Sequence, residues 1–94
     1  MQFEWDAEKA KSNLAKHGVD FDLAKRVWDD PLHVIVPDRV EDDEQRWHAI
    51  GMVGAEMLVV VVHAYRDDDG LRVRIIGARK ATRQERRRYE EEAP

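Results

Sequence analysis

The hydrophobic pattern in the last third of the chain predicts a β-hairpin whose first strand is buried on both faces. Residues 57–62 are apolar without a break and rich in valine, and so short a run suits a covered strand better than a helix. Residues 67–70 read Asp-Asp-Asp-Gly, which is the composition of a tight turn. Residues 71–79 then alternate as a second strand. This alternation assigns Leu71, Val73 and Ile75 to one face, and Arg72, Arg74, Ile76 and Ala78 to the other.

The first third of the chain has helical spacing. Asp6 is placed to cap a helix that Gly18 ends, and Asp20 is placed to cap a second one that stops at residues 29–31. The apolar stripe of the first helix comprises Ala7, Ala10, Leu14 and His17, and a polar stripe beside it comprises Lys9, Asn13 and Lys16. The core-facing side of the second helix comprises Phe21, Ala24, Val27 and Trp28.

The remaining segments complete one small domain, residues 1–94. Residues 2–5 suit a short strand, 32–36 a strand broken at Pro37, and 38–44 an exposed acidic loop. In the next predicted strand, 45–53, Trp47 and Ala49 share one face, and the other holds Arg46, His48, Ile50 and Met52. We therefore expect an α+β fold: two short N-terminal helices, an antiparallel β-meander of about four strands, and a C-terminal helix.

The start of the C-terminal helix is marked by Thr82 and Glu85, which have the spacing of a capping box. Residues 72–88 hold eight basic side chains and one acidic side chain, although the whole chain has a net charge of −4. Because phosphate binding depends on charge within about 10 Å, this distribution predicts a basic patch on an acidic body.

The helix also carries its arginines first and its glutamates last, opposite to the order that the helix dipole favours. Two explanations stay open: an anion site at the helix start, or a solvated helix held by Arg–Glu pairs or by a partner.

Composition narrows the function classes. The chain has no cysteine, and its four histidines are well separated, so we expect neither a metal site nor a cofactor. No apolar run is long enough to span a membrane, and the N-terminal residues lack the apolar core of a signal peptide. We therefore expect a cytoplasmic protein.

Two motifs resemble those of a known family. The pattern FEWDxxKxxxNxxKHGVxFxxA is present from Phe3 to Ala24, and the segments LVVVVHAYR and VRIIGARKATRQERRRY follow in the second half. Together they resemble the BrnT family of type II toxins from Phe3 to Tyr89.

The resemblance implies a RelE-like fold and a ribonuclease that inhibits translation by cutting RNA. It also implies a small BrnA-type antitoxin with a ribbon–helix–helix part, through which alone the complex would bind operator DNA.

Metal-free RNA cleavage needs a base, a cation and an acid. We assign catalysis to His63, Arg74 and Arg79, because a hairpin turn of residues 67–70 would place His63 opposite Arg74. A slip of one residue would pair His63 with Val73 instead. The expected RNA-binding residues are Lys16, His17, Arg72, Lys80, Arg83 and Arg87.

Structural explanations compete with these roles. His63 could be a half-buried strand-end histidine, and His17 a packed imidazole on the apolar stripe. Trp5 could stack on a base or pack in the core. His33 and His48 match no motif and receive no role. At the level of the whole chain, the alternatives to an enzyme are a nucleic-acid-binding module without catalysis and a protein-interaction domain.

Overall fold

The computed structural model describes residues 1–55 and 57–92. Its strands are β1 (Gln2–Glu4), β2 (Val34–Glu41), β3 (Glu44–Val53), β4 (Met57–Tyr65) and β5 (Arg72–Lys80). Its helices are α1 (Ala7–His17), α2 (Phe21–Ala24), which continues as a 3₁₀ turn (Lys25–Asp29), and α3 (Arg83–Glu92). The predicted α+β class is confirmed.

The sheet is mixed and has the strand order β1-β5-β4-β3-β2. Strands β2 to β5 form the predicted antiparallel meander. Strand β1 adds a fifth, parallel strand beside the first residues of β5. The sheet therefore has one strand more than the predicted meander.

The predicted acidic loop at residues 38–44 is wrong. Strand β2 passes through Pro37 and continues to Glu41, with an irregularity between Pro37 and Val40. Proline is tolerated there because β2 is an edge strand. The reversal needs only Asp42 and Asp43, whose φ angles of 53° and 60° lie in the left-handed region that aspartate tolerates better than most residues.

Helices α1 and α2 and the 3₁₀ turn pack on one face of the sheet and bury the main core. Fully buried members include Phe21, Val27, Val59, Val61 and Val73. The 3₁₀ turn approaches β3 so closely that a Cβ on Gly51 would lie 2.9 Å from Val27 Cγ1. Only glycine fits at that position without displacing the turn.

The predicted apolar stripe of α1 is wrong, because Leu14 is 47% exposed and His17 is exposed. Asn13 faces the sheet instead, where its amide bonds both backbone groups of Ala78. This part of β5 extends beyond the three residues of β1, so its outer edge would otherwise have unpaired backbone groups.

Strand β5 does not keep the predicted alternation. Val62 pairs with Gly77 and His63 with Ile75, so Ile76 is an extra residue in a bulge. Ala78 therefore joins Ile75 in the main core rather than sharing a face with Arg74.

The opposite face of the sheet is covered at one end by α3. Tyr89 and Ala81 pack on Ile50, Leu58 and Val60, and Tyr89 donates a 2.7 Å hydrogen bond to Asp30. We call the rest of this face the open face; its members are Arg46, His48, Val62, Ala64, Arg74 and Arg79. In the described part of the chain, no helix has the length and hydrophobicity needed to cross a bilayer.

Candidate functional site

Four basic side chains lie on the open face, and each has an acidic neighbour. The pairs are Arg46 with Glu41, His48 with Asp38, Arg74 with Glu44, and Arg79 with Glu85. Arg46 comes from β3, and Arg74 and Arg79 come from β5, with β4 between them. Because all three side chains lie on the same face of the sheet, their positive charges are concentrated on one surface.

Strand register brings them to this face. His48 pairs with Val62 on β4, and Arg74 and Arg79 pair with Ala64 and Val60. Directly paired residues point to the same side of a sheet. Arg46 precedes His48 by two positions and therefore shares its face.

Arg79 and Glu85 join β5 to the start of α3. Two hydrogen bonds of 2.6 and 2.8 Å connect them, and Glu85 also caps the backbone N–H of Thr82. In return, the Glu85 N–H donates to the Thr82 hydroxyl oxygen, which confirms the predicted capping box. The bonds from Arg79 are the main cause that lowers the pKa of Glu85 to about 2, and Glu85 raises the pKa of Arg79. Both groups are therefore charged at neutral pH.

The paired arginines retain hydrogen-bonding capacity. A guanidinium has five N–H donors, and one carboxylate uses at most two or three of them. The side chains of Arg74 and Arg79 are partly exposed, so both can be reached from solvent. Such a face can bind an anion, and phosphate suits the fork of a guanidinium.

The predicted pairing of His63 with Arg74 is wrong. The loop is one residue longer than predicted, because the Arg66 N–H donates to the Arg72 carbonyl, and within it Asp67 Oδ1 accepts bonds from the N–H groups of Leu71 and Arg72. His63 therefore lies opposite Ile75, on the helix-covered face, with no exposed surface. Arg74 points to the other side of the sheet.

The other predicted site residues lie in three places. Arg83 and Arg87 are exposed on α3 and line a shallow groove with Glu90. Lys80 ends β5 and is exposed close to Arg86, whereas Arg72 is paired with Glu4 at the β1 edge.

Lys16 and His17 are exposed at the end of α1, in the helix layer that packs on the opposite face. They are therefore not brought together with Arg74 and Arg79. Trp5 packs edge-on against Phe21, with ring centroids 6.0 Å apart, as the core alternative expected.

Sequence reasoning missed Arg46 and His48 as members of this surface. Their signal was present in the alternation of β3, which places both on one face. What was lacking was the register of the strand pairing, which places that face of β3 on the same side of the sheet as the arginines of β5, with β4 between them. Across the described ranges, no three His, Asp or Glu side chains form a group that could hold a metal ion.

The chain is similar to known proteins in both sequence and structure. The crystal structure of the Brucella abortus ribonuclease toxin BrnT superposes with a TM-score of 0.67 and 24% identity, covering 88% of this chain and 99% of that one. No curated protein sequence matches the chain. The sequence model of a family described as ribonuclease toxin, BrnT, of type II toxin–antitoxin systems matches residues 5–85. Since this match spans most of the sequence, the chain belongs to the BrnT family of ribonuclease toxins of type II toxin–antitoxin systems.

Proposed function

We propose that this protein cleaves RNA on its open face by a metal-independent reaction, in the cytoplasm and on a RelE-like fold. The observation that carries the proposal is the position of Arg46, Arg74 and Arg79 on one sheet face. An RNA strand brings one negative charge per phosphate, and fixed cations on a preformed surface bind it without a metal ion.

The same cations suit the chemistry. When the ribose 2′-oxygen attacks the neighbouring phosphorus, negative charge accumulates on the phosphorane oxygens. Arg74 and Arg79 are held in fixed positions by Glu44 and Glu85, so little reorganisation is needed as that charge develops. We assign transition-state stabilisation to these two arginines. We do not extend the site to His63, because its ring has no exposed surface and lies behind the sheet.

The RNA strand is proposed to continue from the open face towards α3. Arg83 and Arg87 are exposed on that helix, and Lys80 lies beside its first turn. Arg72 would extend the surface at the β1 edge. Lys16 and His17 lie in the helix layer, so they would bind RNA only through a second contact on that side of the sheet.

A BrnA-type antitoxin is the proposed partner. The family's type II assignment implies a protein antitoxin. An acidic segment laid over residues 72–88 would occupy the phosphate positions and so inhibit the toxin. The ribbon–helix–helix part of the partner would supply the contacts to operator DNA.

The test is incubation of the purified chain with total RNA in EDTA, followed by mapping of new RNA ends. Wild type is expected to cleave, and Arg74→Ala to lose most of that activity. Arg74→Ala should also reduce the salt dependence of RNA binding by about 0.7 in the log–log slope. Arg26→Ala is the matched control, because Arg26 is an exposed arginine on the 3₁₀ turn, away from the open face.

Each alternative function has its own outcome. Tight RNA binding without new ends would indicate a binding module, and absence of both would indicate a protein-interaction domain. Activity that EDTA abolishes and Mg²⁺ restores would contradict metal independence.

A further inference from the structure

We infer that His48 is the general base of the RNA cleavage proposed above, and that Asp38 is its positioning residue. The inference rests on that proposed function and names a group that neither motif nor composition singled out. Three observations support the role of His48: the positions of the four histidines, its contact with Asp38, and the arginines around these two residues.

His48 is the histidine that faces the arginines. All four histidines of the sequence lie within the described residues. His63 is buried behind the sheet, His33 contacts the Asp30 carbonyl through Nδ1, and His17 ends α1 on the helix layer. His48 is on β3, opposite Val62, with 20% of its side chain exposed on the open face. It can therefore contact a substrate bound there.

Asp38 lies beside one nitrogen of the ring. His48 Nε2 lies 3.3 Å from Asp38 Oδ2. With Nε2 turned towards the carboxylate, Nδ1 is the nitrogen left for proton exchange with a substrate. A carboxylate behind the ring also stabilises the imidazolium that forms when Nδ1 takes a proton.

The surroundings of this dyad place cations close to the reacting phosphate. Val62 on β4 and Val36 on β2 flank the ring and are apolar. Arg46 lies two positions away on the same strand. Arg79 is attracted by Asp38 and bonded to Glu85 of α3. A phosphate bound between the arginines would have the imidazole at its side.

The 2′-hydroxyl gives its proton to His48 Nδ1, and the 2′-oxygen forms a bond to phosphorus. The bond from phosphorus to the 5′-oxygen breaks, leaving a 2′,3′-cyclic phosphate. The 5′-oxygen takes a proton from water, and the resulting hydroxide is neutralised by the proton on His48.

The experiment measures single-turnover cleavage of a short RNA, together with RNA affinity and melting temperature. His48→Gln is expected to slow cleavage by about 100-fold or more, the usual size of a general-base contribution. Its RNA affinity and melting temperature should stay close to wild type. His33→Gln is the control, since that ring contacts the Asp30 carbonyl rather than the open face. Added imidazole should partly restore cleavage by His48→Ala.

Asp38→Asn separates positioning from mere structure. Asp38→Asn removes the carboxylate beside Nε2, so the single-turnover rate at saturating RNA should fall while RNA affinity and melting temperature stay close to wild type. Asp38→Glu should recover part of that rate. If Asp38 were only structural, Asp38→Asn would change stability or affinity instead.

The outcomes distinguish this inference from the function on which it rests. Wild-type cleavage in EDTA combined with full activity of His48→Gln would overturn the role of His48 and leave the proposed function intact. Failure of wild type itself to cleave RNA would overturn both. An unchanged single-turnover rate in Asp38→Asn would remove Asp38 from the mechanism.

Discussion

At the residue scale, His63 shows how burial decides the chemistry of a side chain. Its ring contacts Trp28 edge-on, with centroids 4.9 Å apart, and its Nδ1 lies 3.1 Å from the Val61 carbonyl. Burial lowers the pKa of His63 from 6.5 to about 4, because the cost of burying a charge outweighs the bond to the Val61 carbonyl. The imidazole is therefore neutral at physiological pH and acts as a packed aromatic ring.

This pKa makes the stability of the fold depend on pH. Between pH 6.5 and 4, the unfolded chain binds a proton at His63 that the folded chain does not bind. Acidification through this window should therefore lower the free energy of unfolding, by about 3 kcal/mol if the whole shift is expressed. In His63→Phe the part of the pH dependence that comes from His63 should disappear. Urea denaturation of both proteins at pH 7.5, 6, 5 and 4 would measure the free energy of unfolding.

His63→Gln serves as a second variant should phenylalanine disturb the packing against Trp28. Glu85 and Asp30, whose pKa values are lowered in the folded protein, lose their stabilising charge at lower pH and remain in both variants. Equal pH dependence in wild type and the His63 variants would show that this ring is not a buried neutral histidine.

The contrast between His63 and His48 also explains what sequence could not provide at this scale. Both are single histidines on predicted strands, and residue type alone does not separate them. In the structure His63 pairs with Ile75 on the helix-covered face, whereas Arg74 pairs with Ala64 on the open face. Arg74 and Arg79 were identified as basic positions of β5 by their spacing, but their neighbours on β3 were not.

At the element scale, Asn13 attaches α1 to the sheet. Its Nδ2 donates to the carbonyls of Val19 and Ala78 at 3.0 and 2.8 Å, and its Oδ1 accepts from the Ala78 N–H at 3.1 Å. The amide thus takes the place of a missing neighbouring strand along the edge of β5.

Replacing Asn13 should therefore destabilise the fold more than a surface position on a helix would. Asn13→Ala leaves partly buried backbone groups of Ala78 without partners, and we expect a loss of about 2–3 kcal/mol in unfolding free energy. Chemical denaturation would measure this, with Ser12→Ala on the exposed side of α1 as the control. A loss in Asn13→Ala no larger than in Ser12→Ala would contradict this role.

Elements whose boundaries are set by local chemistry were predicted well. Asp6, Asp20 and Gly18 cap the helices as expected, and Thr82 with Glu85 starts α3. The boundary of β2 was missed because proline and a run of acidic residues are typical of a loop. An edge strand tolerates both, since it needs hydrogen bonds on one side only.

At the scale of the whole molecule, acidic and basic residues are less segregated than the sequence implies. Glu44 belongs to the predicted acidic loop, yet β3 carries it to the open face, where it pairs with Arg74. Glu41 does the same for Arg46 from β2. The sequence shows a basic stretch at residues 72–88. Only the folded sheet shows that carboxylates of β2 and β3 partly neutralise the basic side chains of the open face.

This arrangement sets what a partner must achieve. RNA or an antitoxin bound to this face would contact guanidinium groups that Glu41, Glu44 and Glu85 already hold in place, and its attraction to them should weaken as salt is added. A small acidic segment that binds only these arginines would gain little binding free energy. The proposed antitoxin is therefore expected to bury apolar surface on the toxin as well, and so to form a complex that survives purification rather than a transient contact.

The last prediction concerns growth. Expressed alone, wild type should stop cell growth, and Arg74→Ala should not, because it would lack one of the two cations to which we assign phosphorane stabilisation. Arg26→Ala, matched in charge change and outside the open face, should be as toxic as wild type. Co-expression of the proposed antitoxin should restore growth and yield a complex that binds operator DNA, which the toxin alone should not bind. If wild type is harmless at the same soluble level as folded Arg74→Ala, a toxic role for this chain is wrong, and a protein-interaction role is favoured.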